Sequence, residues 1–481
     1  MMKKGIRRLA VLVVVLMLLA LPLTFAAGGK EGAGAAGKTF KDLRGATINI
    51  LTVEMPMLKV YWKMIPDFEA KYGIKVIVDE SPFDQNRQKT LLDMSKHTGR
   101  YDIFNVDCMW LAEYTTSGYL EPLMKYIKNP GLTEADFDVA DFVPRIFSGN
   151  GVWDDIVYSI PMGSGTMGQS WRTDIAAQYG LSFPTKWEEW TTDKMMSYVQ
   201  KLNHPEKGYA AYVTQPRRWE WGWTFIQLMM AFTSPGRIGD EYLDKNWKVT
   251  INSKDNVAAL NWYLGLRPYL PEGSANFGYD EVATTYQQGR AAGTVNYSEW
   301  IVNHYEDPAV SKAAGKSVHI HTPVGPGGRI DPFFGSWGIA ISSDSRNKEA
   351  AWAFIQWITS KSVQTKAIAS GGDPVRHSTY KSDATKKYMP WYVTLYDFYM
   401  KYTNPDERVR IPEWAEISDI MGLYGNKAWT GEITPDAALA SMEQDMTKVM
   451  EKGGYYSDTG KKPAQSWRDL TYYDRSPDTW K

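Results

Sequence analysis

The sequence predicts an α/β molecule built in at least two lobes, and two observations carry that expectation. Between Thr47 and Val106, short apolar stretches alternate with amphipathic ones in the order strand, helix, strand, helix, strand. That order belongs to a mostly parallel sheet covered by crossover helices. The chain has 481 residues, and single hydrophobic cores stop growing at about 250–300 residues.

Taken in order, Thr47 to Thr52 (TINILT) is the first predicted strand, followed by a loop at Glu54-Met55-Pro56. From Met57 to Tyr72, apolar residues recur at helical spacing (Val60, Tyr61, Met64, Ile65, Phe68), and Gly73 is placed to end that helix. Ile74 to Val78 is a second strand, Gln88 to His97 a helix, and Asp102 to Val106 a third strand ending at Asp107. In sheets of this kind ligands bind just beyond the carboxyl ends of the strands. Farther along, Thr185-Lys186-Trp187-Glu188 has the form of a capping box opening a helix to about Lys201. Asn252-Ser253 opens a helix through Leu264, and Thr434-Pro435 opens another. In the last, Leu439, Met442, Met446 and Val449 form a packing face, and Gly453 stops the helix.

The first 27 residues are set apart from the fold. Lys3, Lys4, Arg7 and Arg8 precede an apolar run of 15 residues, Leu9 to Leu23, and small residues follow at Ala26 to Gly29. This is the layout of a secretory signal peptide, and the run is short of the roughly 20 residues a membrane span needs. Residues 28–45 are expected to be a flexible leader, Gly- and Ala-rich up to Gly37. Cys108 is the one cysteine, so no internal disulfide can form, and its expected role is that of a small buried hydrophobe.

The formal net charge is −1. Without the four cations of the first eight residues the remainder is more acidic still, which argues against nucleic acid as a partner. The chain holds 20 Trp, 29 Tyr and 16 Phe. Most must be packing, yet aromatic rings also offer the flat apolar plates that match a sugar ring, with Tyr and Trp adding a polar edge.

Several strand-end residues are candidates for such a site. In VDCMW, Asp107 and Trp110 follow the third strand; the carboxylate either accepts ligand hydroxyls or caps the helix beginning near Leu111. Glu54 after the first strand and Asp84 after the second have the same logic. Arg217 to Trp223 (RRWEWGW) is the densest aromatic and charged cluster. In an extended chain Trp219, Trp221 and Trp223 share one face; Trp221 and Trp223 are the candidates to floor a cleft, with helix anchoring as the alternative. Gly163, Gly165 and Gly168 form a Gly-x-Gly-x-x-Gly, but Pro161 precedes it and QSWR continues as a strand, so no helix start meets a pyrophosphate. His319 and His321 alternate on one strand face without a third ligand at metal spacing, so no metal or cofactor site is expected.

The stretch Gly335 to Arg376 (GSWGIAISSDSRNKEAAWAFIQWITSKSVQTKAIASGGDPVR) orders an aromatic Gly loop, a strand, a turn, a long amphipathic helix and a second Gly loop. This order resembles the extracellular solute-binding proteins of ABC importers, in the carbohydrate- and polyol-binding family related to maltose-binding proteins. The resemblance implies a two-lobed periplasmic-binding-protein fold joined by a hinge. It puts residues 46–148 and 338–371 in an N-terminal lobe and residues 149–336 and 372–481 in a C-terminal lobe. It implies a monomer that captures a sugar or sugar alcohol in the periplasm and delivers it to membrane permease subunits, without catalysis. It adds Trp300 as a stacking residue with Tyr297 beside it, and Trp337 in the Gly-aromatic-Gly loop. Arg376 either forks two ligand hydroxyls or pairs across the hinge, and Trp171 either stacks on the ligand or lies in the core. The segment NPDERVRIPEW resembles that of polyol- and multiple-sugar-binding members.

Two other readings share these features. A secreted glycoside hydrolase has an aromatic cleft but needs two carboxyl groups roughly 5–9.5 Å apart. A binding protein of the same fold for a polyamine, an iron chelate or a peptide is the other.

Overall fold

The structure, a computed structural model, describes residues 39–297, 301–330, 333–457 and 469–481. The signal segment and Trp300 lie outside the described residues. The end of the leader is ordered: Phe40–Leu43 form a 3₁₀ turn, and Leu43 is buried in the first core.

Strand β1 (Thr47–Val53) leads into α1 (Pro56–Trp62) and α2 (Ile65–Tyr72). The sequence predicts one helix here; the structure has two, because Pro66 has no N–H to donate and its ring crowds the carbonyl of Trp62. Gly73, at φ 66°, caps α2 in the left-handed conformation. Then come β2 (Lys75–Ser81), α3 (Phe83–Ser95), β3 (Ile103–Asp107) and α4 (Leu111–Thr116). α3 starts five residues before the expected Gln88, directly after Pro82, which ends the preceding extended segment.

A buried helix, α5 (Pro144–Gly151), precedes β4 (Ser159–Gly165) and β5 (Met167–Arg172). The expected capping box at Thr185 makes only a 3₁₀ turn, Trp187–Glu189. The helix itself, α6 (Thr192–Leu202), is capped by Thr191, whose hydroxyl accepts the N–H of Lys194 at 3.2 Å. It is followed by β6 (Ala210–Val213), α7 (Trp221–Phe232), α8 (Lys254–Leu264), α9 (Tyr279–Gln287), β7 (Ala291–Tyr297), β8 (Ser317–His321) and β9 (Gly335–Ile341). The long helix expected next is two, α10 (Lys348–Ile358) and α11 (Lys361–Ile368), because Ser360 turns out of the helix and caps the second. Finally α12 (Trp414–Thr430) and α13 (Pro435–Lys452) pack together, with Leu439, Met442, Met446 and Val449 buried as predicted.

The first sheet has the order β2-β1-β3-β9-β4 and the second β8-β5-β7-β6. Both are mixed. β1 pairs parallel with β2 and β3, while β9 runs antiparallel to β3 and β4. In the second sheet only β6 and β7 are parallel. The β-α-β pattern legible in the sequence covers only β1 to β3. Each sheet has its own core. Val375, Tyr380, Met389, Tyr392 and Trp480 join the first, and Val409 to Tyr455 supplies much of the second.

This topology places one set of strand ends together. β1, β2 and β3 end at one edge, and antiparallel β9 begins there. β4 ends there too, and after Thr166 alone the chain becomes β5 of the other sheet. β7, antiparallel to β5, ends beside its start, with Tyr297 opposite Met167.

The joint is tightly packed. Asn150 of α5 donates to the carbonyls of Val106 (3.3 Å) and Ser336 (3.2 Å) and accepts from Ser159 (3.0 Å). A Cβ on Gly338 would lie 1.8 Å from Asn150 Oδ1 and 2.1 Å from Ser159 Oγ. Gly338→Ala is therefore expected to lower unfolding free energy by about 1–3 kcal/mol through overpacking, read by urea denaturation.

Candidate functional site

At that shared edge lies a cavity of about 460 Å³, within the range of roughly 300–1,000 Å³ for small-molecule sites. The first sheet contributes Glu54 beyond β1, Phe83 at the start of α3, Asp107 at the end of β3 and Gly335 to Trp337 at the start of β9. The other wall comes from helix starts: Trp219, Glu220 and Trp223 around the first turn of α7, and Tyr279 and Asp280 opening α9. Phe333 and Arg408 complete it.

Aromatic rings meet across the cleft. Phe83 stacks on Trp219 with centroids 5.0 Å apart and planes at 22°. Trp223 stands edge-on to Trp219 at 4.9 Å, and Trp337 edge-on to Phe83 at 5.8 Å. Trp110, buried behind them, packs edge-on to Trp337 at 5.6 Å and holds that ring from the rear. The run RRWEWGW is a turn entering α7, not the extended chain in which all three indoles would share a face. Trp219 and Trp223, four residues apart, therefore share a face, and Trp221 points the other way.

Polar groups sit between these plates. Asp107 Oδ1 accepts the N–H of Met109 (3.0 Å) and the S–H of Cys108 (3.4 Å). Burial raises its pKa, against the pull of Arg408. Arg408 is itself pinned: its Nε lies 2.9 Å from Glu407 Oε1, it donates to the Phe334 carbonyl, and its guanidinium sits 4.7 Å from the Phe333 ring centre. Burial pushes Glu407 up to about 7, with Arg408 opposing. Glu220, also buried, is pushed up to about 8. Glu54 is exposed at the rim and paired with Lys59 at 2.7 Å. The arrangement offers flat apolar surfaces with acceptors and two guanidinium groups, Arg217 and Arg408, around them, suited to holding a polar-rimmed solute. No group of three or more metal-ligating side chains occurs among the described residues.

Of the residues singled out from the sequence, Glu54, Asp107, Trp223 and Trp337 come together here. Asp84 follows Phe83 on α3, and its side chain lies outside the described set, as does that of Tyr297; Trp300 is outside it altogether. Three others lie away from the cleft, where the structure takes the packing and ion-pair alternatives left open by the sequence. Trp171 is buried in the second core, stacked on Tyr212 at 5.3 Å, its Nε1 donating to Gln169 Oε1 at 3.1 Å. Trp221 packs on Tyr263 (5.1 Å) and Trp429 (5.8 Å) in the same core. Arg376 donates to the carbonyls of Thr359, Asp138 and Phe137 at 2.8, 2.8 and 2.9 Å and lies 3.7 Å from the Phe142 ring centre. Sequence reasoning missed Phe83, Trp219, Glu220 and Arg408 as cleft residues. The signal for Arg408 was present in NPDERVRIPEW; the others required knowing where α3 and α7 begin.

A family model of bacterial extracellular solute-binding proteins matches residues 56–365, and the chain belongs to that family. Among its relatives is a mannitol-binding protein of Pseudomonas aeruginosa, 26% identical over 416 residues that span 82% of this chain and 90% of the relative. An erythritol/L-threitol-binding protein of Mycolicibacterium smegmatis is 24% identical, over 73% of this chain and 75% of that one. Among solved structures, an ABC transporter solute-binding protein of Agrobacterium radiobacter in complex with ribitol superposes with a TM-score of 0.75 at 27% identity, covering 85% of this chain and 99% of the other. The maltose-bound MalE3 of T. maritima matches in fold, with a TM-score of 0.75 at 24% identity over 84% and 100% of the two chains. The fold is thus the two-lobed α/β architecture of these binding proteins.

Arg376→Ala leaves the buried carbonyls of Thr359 and Phe137 without their donor and removes the ion pair to Asp141 at 3.5 Å, and unfolding free energy is expected to drop by about 3 kcal/mol or more. Chemical denaturation measures this, and affinity for any cleft ligand should not change with it.

Proposed function

We propose that this chain is the solute-binding component of an ABC importer that captures a sugar alcohol or monosaccharide outside the cytoplasm and delivers it to membrane permease subunits. The observation that carries this reading is the convergence, at the edge shared by both sheets, of Phe83, Trp219, Trp223 and Trp337 with Asp107, Glu220 and Arg408. Rings pack against the C–H faces of the solute, and carboxyl and guanidinium groups take its hydroxyls. The mannitol-, erythritol- and ribitol-binding relatives support a sugar alcohol.

On this reading the lobes are the two cores, connected by Thr166, by the segment before Gly335 and by the segment leading to Arg408. A solute touching both lobes favours their approach through contacts it makes only when they are close. The joined form is then the one presented to the permease.

A thermal-shift screen against mannitol, ribitol, glucose and maltose tests the reading. Ligand at 100 times its dissociation constant adds about 2.7 kcal/mol of stability, visible as a raised melting temperature. Trp223→Ala is expected to remove that shift while moving the unliganded melting point little, since Trp223 is only part-buried. No shift with any of the four compounds would reject a hydroxyl-rich solute.

A further inference from the structure

Glu220 differs from the other acids of the cleft. It sits one residue before α7, between Trp219 and Trp223, and is 1% exposed. Its Oε1 accepts the N–H of Tyr279 at 3.2 Å, while Oε2 is buried without a hydrogen-bond partner. Its ion pair is with Arg217 at 4.0 Å, and that guanidinium is more closely engaged by Glu281, at 2.6 Å. The fit is tight: a Cβ on Gly278 would stand 2.4 Å from Glu220 Oε1 and 2.5 Å from Arg217 Nη1. Asp280 and Glu281 on α9 add repulsion, and Arg217 is the cation that opposes it.

A buried carboxylate needs donors for both oxygens or a close cation. Glu220 has one backbone donor and a distant, shared cation. A carboxylic acid suits the place better, because its protonated oxygen is itself a donor. It then requires an acceptor, and it lines the cavity together with Trp219 and Trp223, where the oxygen of a solute hydroxyl can supply one.

We propose that Glu220 is the second lobe's hydrogen-bonding contact to the solute and that it engages it as a neutral acid, donating its proton to a solute hydroxyl. The proposal rests on the reading of the cleft as a site for hydroxylated solutes and adds what that site selects. A neutral acid gives no charge attraction to an ammonium group, so the pocket favours uncharged polyols over amines of the same size. It also makes capture sensitive to alkaline pH. Burial is the largest cause holding the group near 8, so below that pH the acid form dominates and affinity is level. Above it the carboxylate loses its donor and gains a desolvation cost, and affinity falls by up to tenfold per pH unit.

Calorimetric titration of the whole protein with mannitol and ribitol between pH 6 and 9.5 tests this. Wild type is expected to hold its affinity from pH 6 to 7 and to weaken about tenfold from pH 7 to 9.5. Glu220→Gln, neutral and still a donor, is expected to bind several-fold more weakly at pH 7, with less than threefold change by pH 9.5. Glu220→Leu, verified as folded by circular dichroism, is expected to lose more than tenfold at every pH. Three outcomes overturn the proposal: a level wild-type profile, a Gln variant that weakens in parallel with wild type, or spermidine binding that exceeds polyol binding and is lost in Glu220→Gln. Wild type that binds neither polyol nor monosaccharide at pH 7 rejects the cleft reading itself, and the proposal with it.

Discussion

One residue, Thr166, separates β4, an edge strand of the first sheet, from β5, the first strand of the second, and most of the architecture follows from that short passage. A strand that leaves one sheet and enters another without a loop cannot reverse, so the two sheets meet end to end. The ends of β1, β3 and β4 and the start of β9 then face the end of β7 and the first turns of α7 and α9. Apart from Phe333 and Arg408, the cleft groups named above belong to strand ends or helix starts, where backbone donors and acceptors are incompletely paired inside their own element. The joint tolerates no added volume: Gly338 is flanked by Asn150 and Ser159, whose hydrogen bonds knit α5, β3, β4 and β9 together.

Within the cleft, apolar and polar roles fall on different layers. The rings form a continuous edge-and-face network from Trp110 through Trp337 and Phe83 to Trp219 and Trp223, so each plate is held by the next. The polar groups are fixed by partners that are not solute: Met109 and Cys108 for Asp107, Glu407 and the Phe334 carbonyl for Arg408, Tyr279 for Glu220. Side chains oriented beforehand lose less rotational freedom on binding, and more of each contact is kept as affinity.

The sequence carried the broad plan further than the local detail. The ends of the first and third strands were legible because apolar runs stop at Glu54 and Asp107, and both residues could be placed in the cleft for that reason; the second strand runs three residues past the expected Val78, to Ser81. What was not legible depended on where helices begin. Taken as extended, RRWEWGW puts three indoles on one face; as a turn and helix it sends Trp221 into the core and pairs Trp219 with Trp223. Proline and serine drew the same kind of line, dividing expected single helices at Pro66 and Ser360. Arg376 looked like a ligand contact because its charge is visible in the sequence, whereas the three carbonyls that absorb it come from residues up to 239 positions away. Composition cannot show that an acid such as Glu220 is buried at the cleft.

The stacked pair of Phe83 and Trp219 bears on how such a cleft discriminates. Phe83 opens α3 on one wall of the cleft, and Trp219 precedes α7 on the other. An aromatic pair of this kind is worth about 0.5–1.5 kcal/mol beyond its buried area. Shifting two lobes from 1:99 to 99:1 takes about 5.5 kcal/mol of differential contact. Ring contact alone therefore biases the lobes toward each other without holding them there. On the proposed reading, the remainder comes from groups that a solute joins across the gap, Asp107 and Arg408 together with Glu220. A solute that fills the plates but reaches only one of these sides binds without closing the cleft. Selectivity then lies in the spacing of hydroxyls along the solute, and the indoles set only its thickness.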